Sequence, residues 1–112
     1  MIYVIDIDST ISFPKFDADD TYERYAHSAP NQPVIDKIRT LYSEGHTIIL
    51  HTARRMVTHK GDVVAVEADV GQITRDSLDR LGVPYHQLVF GKPYGDFYVD
   101  DKAMTPDEFA NS

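Results

Sequence analysis

Two aspartates one residue apart, Asp6 and Asp8, close the apolar run Ile2-Tyr3-Val4-Ile5 and carry the strongest chemical signal in the chain. An ionised carboxylate is costly to bury without a partner, so both side chains must sit where water or a cation reaches them. The C-terminal tip of a parallel strand is such a place, and open α/β sheets put their ligands there. Two carboxylates at that tip point to a hard divalent cation with oxygen ligands, Mg²⁺ above all. A carboxylate so placed can also attack phosphorus and form an aspartyl-phosphate. Taken alone, the pair can equally begin a polar turn. A calcium EF-hand loop is excluded, because Ile11 stands where Gly is required, Asp17 where the closing Glu belongs, and the preceding run is strand-like.

Three downstream stretches raise the active-site reading. Thr52-Ala53-Arg54-Arg55 follows the apolar run Ile48-Ile49-Leu50; Lys92 lies in a Gly-Lys-Pro turn; Asp100-Asp101 follows Phe97-Tyr98-Val99. If these converge, Asp6 is the nucleophile and a Mg²⁺ held by Asp6 and the Asp100/Asp101 pair bridges it to a phosphoryl oxygen. Lys92 adds a point charge and the Thr52 hydroxyl a donor. Asp8 serves as general acid and then as base for the hydrolytic water. Each member has an ordinary reading of its own: Thr52 a helix cap, Lys92 a solvated turn residue, Asp100-Asp101 a turn pair, Arg54-Arg55 solvated charge. It is the conjunction that points to a site.

The elements that must bring them together follow from periodicity. Ile2–Ile7 reads as a strand covered on both faces. Residues 12–31 are polar and aromatic without a clear period, and read as a flap over the end of that strand, with a helical turn near 20–26. Asn31 caps a helix whose apolar face is Val34, Ile35, Ile38, Leu41 and Tyr42, and Gly45 ends it. Residues 47–51 form a second buried strand, and residues 56–61 a turn. A long helix over 62–81 carries Val63, Val66, Val70, Ile73 and Leu81 on one side and stops at Gly82. Residues 85–90 and 97–99 are weaker strands, and Thr105-Pro106-Asp107-Glu108 is a capping box that opens a short final helix. Strands alternating with helices imply right-handed crossovers and a mainly parallel sheet, which puts Asp6, Asp8, Thr52, Arg54 and Asp100 on one edge.

Composition sets the bounds. The 112 residues suffice for one small domain, 1–112, with 12–31 as an insertion near the site. No apolar run approaches the length of a membrane span, and nothing resembles a signal peptide, so a cytoplasmic protein is expected. Cysteine is absent, which removes disulfides, thiolate metal sites and a Cys nucleophile. The net charge of −7 argues against a binder of nucleic-acid backbones, though a bound cation and local positive charge can still hold a small anionic substrate.

In order and spacing, Asp6-Ile-Asp8-Ser-Thr10, Ile48-Ile-Leu-His-Thr52, Lys92 and Tyr98-Val-Asp100-Asp101 resemble the four motifs of the haloacid dehalogenase (HAD) superfamily. The stretches around Thr52-Ala-Arg54, Tyr85-His-Gln-Leu, Phe90-Gly-Lys92-Pro and 100–109 resemble small capless phosphatases associated with capsular polysaccharide biosynthesis. The resemblance covers nearly the whole chain. It implies an α/β, Rossmann-like three-layer fold with a mainly parallel central sheet and no separate cap domain, and Mg²⁺-dependent hydrolysis of a phosphomonoester, with a small sugar phosphate as the expected substrate. It makes Asp6 the nucleophile and Asp8 the acid/base. It has the Asp6 carboxylate, the Asp8 carbonyl and Asp100 hold Mg²⁺, with Asp101 nearby. Thr52 and Lys92 bind phosphate, substrate contacts gather near Arg54, and Thr10 orients Asp8. Two residues depart from the pattern: Ser9 and Arg55 stand where Gly is common. The site is then either open or covered, by residues 12–31 or by a second subunit of a homo-oligomer.

Three other readings compete. A polynucleotide-end phosphatase would use the same motifs, but the acidic charge disfavours it. A phosphoacceptor receiver domain needs its acceptor Asp mid-chain and its Lys after the Thr near the end, an order this chain lacks. A non-catalytic Mg²⁺- or phosphate-binding module would not need all the motif residues present here.

Overall fold

The alternation of burial along the second long strand explains the fold. Ile48, Leu50 and Thr52 are fully buried while Thr47, Ile49 and His51 are not, so one face of the sheet takes the helices. The computed structural model describes residues 1–112. In chain order the elements are β1 (Ile2–Asp6), β2 (Ser12–Phe13), α1 (Thr21–Ala26), β3 (Ala29–Pro30), α2 (Gln32–Ser43), β4 (Thr47–Thr52), α3 (Val63–Leu81), β5 (Gln87–Phe90) and α4 (Pro106–Ala110). β1, β4 and β5 form a parallel sheet in the order β1-β4-β5, with Ile5 opposite Leu50 and Leu50 opposite Leu88. All three strands therefore end on one edge, as the βαβ pattern requires.

The core lies on the Ile5, Ile7, Ile48, Leu50 face. There α2 contributes Val34, Ile35, Ile38 and Leu41, α3 contributes Leu78, and α4 contributes Phe109. A smaller cluster of Val66, Val70, Phe90 and Tyr25 ties the first half of α3 to β5 and α1. The expected cover on both faces of β1 is not found: Ile2 and Val4 are 70% and 57% exposed. Their run is apolar throughout, and tertiary packing, which a continuous apolar run does not reveal, chose the face that was covered.

The caps follow the sequence with one exception. Asp62 accepts from Ala65 N at the start of α3, Gly82 ends it with φ 70°, and Thr105 and Glu108 form the full capping box of α4. Asn31 precedes α2 without capping it; its side-chain Nδ2 instead donates to Thr10 O at 3.0 Å. That bond fastens the end of the 12–31 segment to the loop after β1.

The 12–31 segment is built on a short antiparallel pair, β2 with β3, that periodicity does not reveal. Ser12 pairs with Pro30 and Phe13 with Ala29, so the segment leaves and returns at one point with α1 at its far end. Residues 97–99 form no strand. Phe97 and Val99 are 88% and 97% exposed. The apolar run is only three residues long and is bracketed by Pro93, Gly95 and the Asp100-Asp101 pair, all turn formers.

Candidate active site

The loop after β1 is wound tightly. Ile7 O accepts the N–H groups of Thr10, Ile11 and Ser12 at 3.2, 2.8 and 3.2 Å, and Ser9 N donates to Ser12 O at 2.7 Å. This winding leaves Ser9 with φ 64°, a left-handed conformation that a side chain disfavours and Gly adopts freely. In the loop after β4, Arg55 has φ 59°. The two positions where the sequence departs from an expected Gly are therefore both positions where the backbone asks for one.

Asp6 and Asp8 enter the same cavity, of about 360 Å³, at the C-terminal edge of the sheet. They meet different partners there. Asp6 Oδ1 lies 3.4 Å from Lys92 Nζ, and Thr10 Oγ1 donates to Asp6 Oδ2 at 3.4 Å. Both are long contacts, and 31% of the Asp6 side chain is exposed. Asp8 is gripped by Arg54: Nε donates to both carboxylate oxygens at 2.9 Å and Nη2 to Oδ1 at 2.7 Å. The Arg54 side chain is 1% exposed, donates through Nη1 to Thr74 Oγ1 at 2.9 Å, and stacks on the Tyr25 ring at 4.3 Å. Charge-assisted pairs of this geometry are strong, and a buried guanidinium needs all of these partners.

Lys92 is positioned from two sides. Its backbone N–H donates to Thr52 O at 3.1 Å, continuing the β4–β5 ladder past β5. Its ammonium sits 4.0 Å from the centre of the Tyr98 ring. The Tyr98 hydroxyl donates to Pro93 O at 2.7 Å and accepts from Gly95 N at 3.1 Å, closing the turn that follows Lys92.

Several predicted roles are corrected. Thr10 contacts Asp6 and not Asp8. Thr52 is fully buried, and its hydroxyl oxygen accepts from Arg54 N at 3.0 Å, so it shapes the loop instead of lining the cavity. Arg54 borders the cavity, but its N–H groups are engaged by Asp8 and Thr74, which makes it a positioning residue for Asp8. Asp100 and Asp101 are exposed and do not join the cavity, because the strand that was to carry them is not formed. Asp100 instead accepts from Lys102 N at 2.9 Å, and that bond first, then Asp101, holds its carboxyl below the usual range. No group of three His, Asp or Glu side chains is arranged to hold a metal ion by itself. The expected Mg²⁺ ligands, the Asp6 carboxylate, the Asp8 carbonyl and Asp100 with Asp101 nearby, are thus not brought together, because Asp100 and Asp101 stay outside the cavity. Both oxygens of Asp8 are taken by a guanidinium, which leaves Asp6 alone with a carboxylate open to the cavity.

Much of the cavity wall comes from residues outside the motifs. Phe16, Arg24 and Tyr25 reach it from the 12–31 segment, and Met56 and Tyr94 from two loops. Only the unusual aromatic content of 12–31 was a usable signal. Burial and then Asp8 push the Tyr25 hydroxyl up, against Arg54 and Arg24. His51, level with Asp6 in the sheet, is held below the ordinary imidazole range by burial first and by Lys92 second, with Asp6 opposing. Beyond Arg55, Asp69 accepts from Arg55 Nε at 2.8 Å and lies 2.9 Å from His59 Nε2, which ties the loop to α3.

Comparison with solved structures places the whole arrangement in context. A crystal structure of a structural-genomics target from Vibrio cholerae matches with TM-score 0.87 and 32% identity, over 99% of this chain and 88% of that one. The chain belongs to the family of that protein. Chains in a structure of the Pnkp1/Rnl/Hen1 complex (TM-score 0.57, 20% identity) and of the Pnkp1/Rnl/Hen1 RNA repair complex (0.54, 17%) share the fold with this chain. This chain spans 31% and 30% of their lengths. No protein-family model and no curated protein matches. No helix of the chain is long and apolar enough to cross a membrane.

Proposed function

We propose that the chain is a phosphomonoesterase of HAD type that works through an aspartyl-phosphate on Asp6. The observation that carries the reading is the placement of Asp6: a carboxylate at the tip of the first parallel strand, open to the cavity, with the Lys92 ammonium 3.4 Å away. An Asp6 oxygen forms a bond to phosphorus as the phosphorus–ester oxygen bond breaks, and the leaving alkoxide takes a proton. Water then attacks the same phosphorus and Asp6 is released. Lys92 offsets the repulsion between carboxylate and phosphate, and the negative charge that develops on the equatorial oxygens. Asp8 is the nearest second carboxylate of the cavity and takes the acid/base role, aimed by Arg54. The proposal includes Mg²⁺ as cofactor on the strength of the sequence motif, with Asp6 as the one carboxylate here that can hold it.

A small sugar phosphate remains the leading substrate, given the modest cavity and the acidic chain. A phosphorylated polynucleotide end is the second reading, favoured by the shared fold with chains of an RNA repair complex. Phosphate release from sugar phosphates, nucleotides and a 3′-phosphorylated oligonucleotide, with Mg²⁺ and with EDTA, tests both. Mg²⁺-dependent turnover of sugar phosphates supports the first and turnover of the oligonucleotide the second. Full activity in Asp6→Asn would overturn the mechanism.

A further inference from the structure

The cations around the cavity are not equivalent. Arg54 is paired with Asp8, Lys92 faces Asp6, and Arg55, which also lines the cavity, is paired with Asp69 behind it. Arg24, on α1, has no carboxylate within 4.0 Å, although the chain carries 18 acidic residues against 11 basic ones. Its Nη2 donates to Ala18 O at 3.0 Å. Its Nε is the one buried side-chain nitrogen or oxygen in the molecule without a hydrogen-bond partner. A guanidinium at the cavity wall with no carboxylate partner, in a chain this acidic, is available to an anion that enters the cavity.

Arg24 is also held in position. Its backbone N–H donates to Asp20 O at 3.0 Å, its carbonyl accepts from Lys15 N at 2.9 Å, and neighbouring Tyr25 is buried with its carbonyl accepting from Ser77 Oγ at 3.0 Å. The guanidinium is thus carried by a fastened element and not by a free tip. A planar guanidinium fork without a counter-charge suits a carboxylate or phosphate oxygen.

We infer that Arg24 forms a second anion subsite, so that the substrate of this cavity is a phosphomonoester bearing a further anionic group, a carboxylate or a second phosphate. The inference rests on the phosphomonoesterase reading for the scissile phosphate at Asp6 and Lys92, and adds that selectivity comes from the 12–31 segment.

The test is calorimetric titration of the full chain in EDTA with three non-hydrolysable ligands: propylphosphonate, 3-phosphonopropionate and propane-1,3-bisphosphonate. One or both of the doubly anionic ligands should bind about tenfold more tightly than propylphosphonate, the gain of one charge-assisted contact. Arg24→Gln should collapse that ratio toward one while leaving propylphosphonate affinity unchanged, and Arg24→Lys should restore part of it. The stronger of the two doubly anionic ligands names the second group. Equal affinities in the native chain, no affinity for any of the three in a chain shown folded by circular dichroism, or a ratio untouched by Arg24→Gln overturns the inference. Because affinity is read without turnover, a preserved ratio in a chain that hydrolyses nothing would remove the phosphatase reading and leave the subsite standing.

Discussion

Asp6 and Asp8 leave the same strand two residues apart, yet the surroundings of Asp6 are loose and those of Asp8 are closed. Asp6 has two contacts of 3.4 Å and a third of its side chain open to solvent. Asp8 is held by three short bonds to an arginine that is itself buried against Thr74 and Tyr25. The difference separates a carboxylate left free to bond to substrate from one that is aimed by a fixed partner. A group that must form and break a bond to substrate needs unclaimed lone pairs. A group that must stay put is better tied to a buried partner whose removal would strand a charge.

Asp6→Asn should therefore show the largest effect on turnover, a loss of about 10³-fold or more, with the melting temperature nearly unchanged. Arg54→Met should do the reverse in kind: about 3 kcal/mol of stability lost, read by urea titration, because Asp8 is left without its partner. If Arg54→Met is stable and only inactive, the two halves of the site are not divided as described. Lys92→Ala should cost about 10²-fold in kcat, the usual loss of one donor to developing charge, with little change in stability.

A smaller effect concerns pH. The folded-state pKa of His51 is lowered, chiefly by burial and next by Lys92, so the unfolded chain binds this proton more readily. Its contribution to stability is present above the ordinary imidazole value and is lost as pH falls from there through the lowered value. His51→Gln should flatten the decline in stability between about pH 7 and 5, measured by urea titration at each pH. Smallest of all should be Ser9→Gly. It relieves a left-handed residue at φ 64° but frees the unfolded chain, and the two nearly cancel, leaving a change of less than about 1 kcal/mol. A large gain in turnover from this variant would mean that the Ser9 side chain, which borders the cavity, obstructs substrate.

How far the chain could be read depended on how local each determinant is. Helix α3 and its Gly82 stop follow from neighbouring residues and were legible, as was the α4 capping box; that Asp62 caps the helix instead of opening it appears only in the fold. Of the five residues expected on one edge, Asp6, Asp8, Thr52, Arg54 and Asp100, the meeting of Asp6, Asp8 and Arg54 at the cavity was legible, since parallel strands joined by right-handed crossovers must end on one edge. The β2–β3 pair was not, because two-residue strands have no period to detect. Nor was the state of residues 97–99: whether a short apolar run joins a sheet depends on a partner elsewhere, and here the run stays exposed and leaves Asp100 and Asp101 outside the cavity.

By itself the sequence determined which residue types lie at the tips of the strands, because alternation and topology put them there whatever their side chains do next. Only the tertiary structure decided which were free and which were tied. It set Arg54 on Asp8, buried Thr52 beneath its loop, and brought Arg24 to the cavity without a counter-charge. The contacts that fix Arg54 join it to Thr74 and Asp8, 20 and 46 positions away, which no local pattern encodes. They are settled only when the whole core packs and each buried polar group finds, or fails to find, its partner.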